Sequence, residues 1–344
     1  MTTVGVSMPM LNQPYSKYPE MAALAEGGGF DSLWNYEFYR NPFVTHGLSA
    51  VTTERIKLGT GIAAMAGRTP FEMANAAADV DELSGGRVLL GLGVGGEEWQ
   101  DRFHGTGVDR PAARMREYVE VLQLAWQHLR TGEPASYEGQ FYRFASPAAN
   151  PWGLRDLERE RIPVYLGALR PKTLALAGEI ADGVLGFMYT PEFIEERVRP
   201  HIIEGVRRAG RDFGEIDLTA YVVCSVAEDR AVALRRARLQ VGVYVLFPAS
   251  APVAEFMGLE EDRDAVLRAF AKDGPAGLER ATSDALVRAF SIAGTPDECR
   301  ERLQEYDGAL SHVILHAPYT PFLTGEESED AFRAIVSTFA PARA

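Results

Sequence analysis

Three glycines raise the first chemical question. In "RVLLGLGVGGEEWQ" (87–100), Gly91, Gly93 and Gly96 stand at G-x-G-x-x-G spacing. That spacing marks a dinucleotide-binding turn when it follows a first strand, runs into a helix and is answered by an acidic residue closing the next strand. Here it arrives after three strand-and-helix units, and "EEWQDRFHG", interrupted by Gly105 and Gly107, predicts no sustained helix. A second chemistry fits the same residues better: a strand whose carboxyl end lacks side chains, so that a flat ligand can approach the backbone.

Other residues are weighed in the same way. Glu37 lies among Trp34, Tyr36 and Phe38, and an apolar setting suits a carboxyl to acid-base work; a hydrogen-bonded pocket wall is the competing reading. His312 and His316 are four apart on an apolar run that reads as a strand, without the helical chelate spacing or a following carboxylate, so no metal site is expected. His316, nearer the end of that strand, is kept as a proton donor. Arg170 and Lys172 sit at a helix start, where amides and the helix dipole favour a phosphate; an exposed ion-paired couple is the alternative. Neither G-x-S-x-G nor G-x-x-x-x-G-K-[ST] occurs, so there is no local cue to a serine hydrolase or a P-loop enzyme. Cys224 and Cys299 form no C-x-x-C and read as small buried thiols.

These groups need elements to position them. The runs "VGVSM", "SLWNY", "IKLGTGIA", "RVLLGLGV", "PVYLGA", "GVLGFM", "LTAYVVCSV" and "HVILHA" alternate with amphipathic segments. Short apolar runs separated by helical patterns predict parallel strands joined by helices. Thr69-Pro70, Arg170-Pro171, Thr190-Pro191 and Thr295-Pro296 mark helix starts, because proline at the first helical position lacks an amide that would be unpaired there. After Pro70, the residues Met73, Ala76, Ala77, Val80 and Leu83 make an apolar stripe that ends at Ser84-Gly85-Gly86. Asp79, Asp81 and Glu82 oppose the dipole of that helix, and nothing in the sequence accounts for them. Around Gly139, "EPASYEGQFYRF" predicts a hairpin, while residues 241 to 281 read as a long irregular passage, then helix, lying over the active face as a lid or wall.

The expected fold class is α/β, a (β/α)8 TIM barrel with insertions over the C-terminal face, in one domain spanning 1–344. In such a barrel the reacting groups gather where strands pass into their loops. The candidates there are Asn35, Tyr36 and Glu37, then Gly61-Ile62-Ala63, Gly93 to Glu98, Gly167 to Arg170, Phe187 to Tyr189, and His316 to Tyr319. Most are glycine, aliphatic or aromatic. Such a mouth suits a broad planar cofactor better than a metal or a nucleophile.

The 344 residues carry a net charge of −13, which argues against a nucleic-acid partner or an anionic membrane surface. No signal peptide or membrane span is read, so a cytoplasmic protein acting on a small molecule is expected.

"GFDSLW" (29–34), "TERIKLGTGI" (53–62), "ELSGGRVLLGLGVG" (82–95), "YLGALRPKTLALAGEIADGVL" (165–185) and "AGTPDECRERL" (293–303) together resemble the luciferase-like monooxygenase superfamily. More narrowly, the set is similar to its oxidoreductases that use the deazaflavin coenzyme F420, akin to methylenetetrahydromethanopterin reductase. The resemblance implies a flavin or deazaflavin at the mouth and a homodimer. It implies that Gly61, Ile62 and Ala63 match a bulge with a non-proline cis peptide behind the ring, and that Gly93 and Gly95 lie beneath it. Gly167, Ala168, Leu169 and Arg170 match the loop whose amides hold a phosphate, with Arg170 where relatives often carry glycine. Asn35 and Trp99, placed near the same mouth, complete the expected cofactor-binding set. Relatives often read Asp-His or Glu-His after the second strand; here Glu37 matches the carboxylate and Phe38 replaces the histidine. Proton transfer would then fall to Glu37, Tyr36 or His316. The implied activity is hydride transfer between F420 and a small organic substrate. The alternatives are an FMN-dependent monooxygenase and a catalytically silent flavin-binding barrel.

Overall fold

The computed structural model describes residues 2–340 except 106, 108, 149–153 and 156, and for 97–99 the backbone alone. Eight parallel strands are β1 (Thr3–Ser7), β2 (Ser32–Asn35), β3 (Lys57–Thr60), β4 (Val88–Gly93), β5 (Val164–Gly167), β6 (Gly183–Phe187), β7 (Asp217–Val226) and β8 (His312–His316). They follow in chain order from β1 to β8; β1 pairs β8 and β6 pairs β7, closing a (β/α)8 barrel. A further strand, Ser291–Gly294, adds to the end of β7 opposite Val223–Val226. Its four residues "SIAG" carry too little alternation to be read as a strand beforehand. Contacts gather the chain into two compact units, one of Met1–Trp34, Gly186–Pro200 and Asp217–Ala344, the other of Asn35–Leu185 and His201–Ile216.

The proline-marked helix starts hold. Helices begin at Pro70, Pro171, Pro191 and Pro296. The hydroxyls of Thr69 and Thr190 accept the amides of Glu72 and Phe193, satisfying donors that a helix start leaves unpaired. The helix Pro70–Ser84 ends at Gly85 in the left-handed region, φ 64°. Its buried stripe differs from the expected one, since Leu83 is exposed and Asp81 is buried. The reason also accounts for the unexplained acids. Arg159 donates to both oxygens of Asp81 (3.1 and 2.5 Å), while Arg155 reaches Glu82 (2.9 Å) and Asp79 (2.7 Å). Asp81 also accepts the Val88 amide at 3.1 Å, so the acidic end of the helix sets the start of β4. Beside it, the Arg87 guanidinium donates to Ser84 O, Thr53 Oγ1, Ile56 O, Ala50 O and Thr53 O.

The hairpin forms as expected, pairing Ser136–Glu138 with Arg143–Ala145. Its turn is tied down by Glu117, whose carboxylate accepts the amides of Gln140, Phe141 and Tyr142. Two expectations are corrected. The residues after Gly96 do form a helix, Glu97–His104, closed by Gly105 in the left-handed region. The passage 241–281 is mostly helical rather than irregular, with Ala251–Phe256, Glu260–Asp273 and Pro275–Ala281 following the helix Arg230–Val245. Acidic Glu260, Glu261 and Asp262 in a first turn favour that helix through its dipole, and Gly258 and Gly274 provide the positive φ at the breaks. Among the described residues no single helix is long and apolar enough to cross a membrane.

Candidate active site

β3 breaks after Thr60 and resumes as Ala63–Ala64. Leu58 pairs with Val88 and Gly59 with Leu89, but Ala63 pairs with Leu92 and Ala64 with Gly93, so the register slips by one residue. The extra residue makes a bulge, and the Gly61-Ile62 peptide within it is cis, as the resemblance implied. Thr60 repairs the ladder at the break: its hydroxyl donates to Gly91 O (2.8 Å) and accepts the Gly91 amide (2.9 Å). The end of β2 stitches the other side. Gly61 N–H donates to Asn35 O (2.7 Å), Glu37 N–H to Ile62 O (3.0 Å), and Ala64 N–H to the Glu37 carboxylate (2.7 Å).

The strand glycines are explained by this bulge. A Cβ on Gly91 would stand 1.8 Å from Thr60 O, and one on Gly93 would stand 2.5 Å from Ile62 Cδ1. A Cβ on Gly167 would lie 3.1 Å from Ile62 Cγ2. The space was expected to admit a ligand to the backbone; instead Ile62 fills it, because an aliphatic side chain gains contacts in the notch between β4 and β5. Half-exposed Ile62 therefore presents the firm surface itself. Gly95 has φ 73°, and a Cβ there would meet Gln100 Nε2 at 2.2 Å. Gln100 is 1% exposed, and neither end of its amide has a hydrogen-bond partner among the described residues. A buried, unsatisfied amide costs about 1–3 kcal/mol unless something pairs with it. No sequence signal singled Gln100 out: it follows Trp99, whose side chain lies outside the described residues.

The remaining expected residues divide. Buried Asn35 uses its amide on Pro42 O (2.8 Å) and Thr45 Oγ1 (2.5 Å), anchoring the helix Pro42–Ala50. Tyr36 is buried and Phe38 is at the surface, its ring 4.6 Å from that of Tyr39. Glu37 is clamped by Arg68, whose Nη1 donates to both carboxylate oxygens at 2.8 and 2.7 Å, with side chains only 15% and 16% exposed. Ala168 is buried with its amide on Leu185 O (3.4 Å), and the Arg170 amide goes to Thr173 Oγ1 (3.2 Å), so these two amides serve the fold rather than a phosphate. Leu169 is half-buried between them. The Arg170 and Lys172 side chains are exposed at the start of the ten-residue helix Pro171–Ile180 and make no ion pair among the described residues. Together the residues can support a flat ring on Ile62, meet a polar edge with Gln100 and draw an anion to the helix start.

In the other unit, His316 ends β8. Its Nδ1 bonds the Ser7 hydroxyl at the end of β1, its Nε2 the Tyr244 hydroxyl, and Tyr244 donates to Tyr319 at 3.0 Å. Burial pushes the His316 imidazole down to about 3, so it is neutral near neutral pH and passes protons only as a neutral ring. His312 has both nitrogens occupied, by Thr3 Oγ1 (2.6 Å) and Ser32 Oγ (2.7 Å), and holds strand starts together.

Comparison with known proteins adds the family. The description of luciferase-like monooxygenases matches residues 1–312. The chain is 34% identical to the 5,10-methylenetetrahydromethanopterin reductase of Archaeoglobus fulgidus over 319 residues, covering 90% of this chain and 92% of that one. It is 32% identical to the enzyme of that name from Methanolobus tindarius, covering 90% and 93%. It superimposes on the coenzyme F420-dependent tetrahydromethanopterin reductase of Methanopyrus kandleri with a TM-score of 0.83 and 28% identity, covering 98% of each chain. The barrel, the bulge and these likenesses agree: the chain belongs to the luciferase-like monooxygenase family.

Proposed function

We propose that this protein is an oxidoreductase that transfers a hydride between coenzyme F420 and a small organic substrate. The observation that carries the reading is the bulge: Ile62, seated over Gly93 and Gly167 in a loop stitched to Asn35 and Glu37, forms a rigid platform, and the Gln100 amide, without a hydrogen-bond partner among the described residues, lies against Gly95 further along the same strand end. The F420-dependent relative of the same fold supports the choice of ring. When bound, F420 supplies the carbon that accepts or gives the hydride.

The chain's own residues bind and orient. Ile62 supports the ring from behind, Gln100 bonds its polar edge, and Arg170 and Lys172 at the helix start balance its phosphate. Holding the two reactants in a near-attack geometry is the main contribution such a rigid cradle makes to rate. Glu37 holds the bulge through Ala64 and Arg68, which leaves Tyr36 as the neighbouring group for proton movement. The reading takes the chain as a single-domain cytoplasmic homodimer without nucleic-acid or membrane partners, and the net charge of −13 supports the exclusion of polyanions.

Titration of the purified protein with F420 and, separately, with FMN tests the reading. Preference for F420, followed by oxidation of its reduced form with an acceptor, supports it. Preference for FMN overturns it in favour of oxygen chemistry, and binding of neither leaves a silent barrel.

A further inference from the structure

We propose that the cavity next to the bulge is an anion subsite that takes a carboxylate or phosphate group of the bound ligands. The cavity measures about 330 Å³ and is walled by Gly67, Arg68, Val94, Gly107, Arg114 and Tyr142 among others, with no acidic residue in its lining among the described residues. Its floor, 65–69, directly follows the bulge, and Val94 lies between Gly93 and Gly95, so it adjoins the platform through the chain itself.

Arg68 and Arg114 both line the cavity, and no carboxylate does so among the described residues. Arg68 meets Glu37 through Nη1 alone. Arg114 gives Nη2 to Asp109 (2.7 Å), a carboxylate 62% exposed and therefore a weak, screened counter-ion. The Nε of Arg114 is buried without a partner among the described residues. The Phe141 ring lies 4.4 Å from the Arg114 guanidinium and fixes its plane. Tyr142 lines the same cavity, and burial raises its phenol, so the hydroxyl remains a neutral donor. Two arginines and a hydroxyl on one cavity wall make the donor set that carboxylates and phosphates bind, in a protein whose net charge otherwise repels them.

Such a group has two sources: the acidic end of F420 beyond its ring, which rests on the function proposed above, or the acidic end of the substrate. Calorimetric titration of the full chain with pyrophosphate and with glutarate tests the site without reference to F420. Saturable binding of either dianion to wild type is expected, weakened about tenfold or more by Arg114→Gln and less by Arg114→Lys, as loss of a charge-assisted pair requires. No saturable binding overturns the proposal. So does binding indifferent to Arg114→Gln but lost in Arg170→Gln, which assigns the anion to the other loop. If Arg114→Gln does not fold, Tyr142→Phe replaces it, with a several-fold loss expected and an unchanged affinity overturning the site. Repeating the titration with F420 present separates the sources: displacement of the dianion assigns the site to the cofactor, and binding of both assigns it to the substrate. A protein that binds no F420 but loses its dianion on Arg114→Gln refutes the proposed function and keeps the subsite.

Discussion

Gly93→Ala tests whether the bulge is seated as described. The new methyl would stand 2.5 Å from Ile62 Cδ1, 3.3 Å from Cγ2 and 3.4 Å from Cγ1. Carbon atoms in contact settle at about 3.5–4.0 Å, so Ile62 must retreat by roughly 1 Å at its tip. Overpacking of this size costs about 1–3 kcal/mol. Ile62→Ala removes the clashing atoms and, because the side chain is half-exposed, costs only about 1–2 kcal/mol on its own. The double variant should then be no less stable than Ile62→Ala alone, giving a coupling of about 1–3 kcal/mol in a double-mutant cycle. Equilibrium urea unfolding of the four proteins measures the coupling, and titration with F420 runs alongside, with about tenfold weaker binding expected in Gly93→Ala. Strictly additive costs, or a neutral Gly93→Ala, would refute the seating.

Gln100→Met should raise the stability of the ligand-free protein by about 1–2 kcal/mol, since it removes a buried amide without a partner among the described residues, and should weaken F420 binding; a less stable variant refutes the argument. Burial lowers His316 to about 3 and His46 to about 4, so the unfolded chain binds more protons in acid and stability falls as pH drops below about 6.5. The loss is about 1.4 kcal/mol per pH unit for each histidine. It continues to about pH 4 for His46 and to about pH 3 for His316, and His316→Asn should halve the slope measured between pH 6 and 4.5. An unchanged slope counts against burial as the cause. Glu37→Gln leaves the Arg68 charge without its partner and should cost about 1–3 kcal/mol, largely restored by adding Arg68→Gln. If instead stability is untouched and the acid limb of the kcat profile disappears, Glu37 is a proton-transfer group and not a clamp.

The barrel was legible because its signals are local. Apolar runs of β-branched residues and the Thr-Pro pairs at 69–70, 190–191 and 295–296 act over a few positions, and each gave the element expected. The place of the bulge was legible through the resemblance at 53–62, with its cis peptide. What the residues around it do was not. The free space at Gly93 was read as room for a ligand, because the sequence cannot say that Ile62, about thirty residues earlier, would occupy it. Glu37 looked like an acid-base group for the same reason, since Arg68 became its partner only across the folded bulge. Asp79, Asp81 and Glu82 looked unfavourable until Arg155 and Arg159, more than seventy residues on, were brought to them. Gln100 left no mark at all, because burial of an amide without a partner among the described residues has no counterpart in composition or spacing.

Arg87 ties the segment 50–56 and the end of the helix Pro70–Ser84 to the amino end of β4, while the bulge, Gln100 and the cavity gather at its carboxyl end. The position of β4 is thus fixed from the side away from the chemistry. Carboxyl-end residues outside the bulge contacts can therefore vary without loosening the start of β4. Substitutions at Arg87 would be screened by folding yield, whatever the substrate.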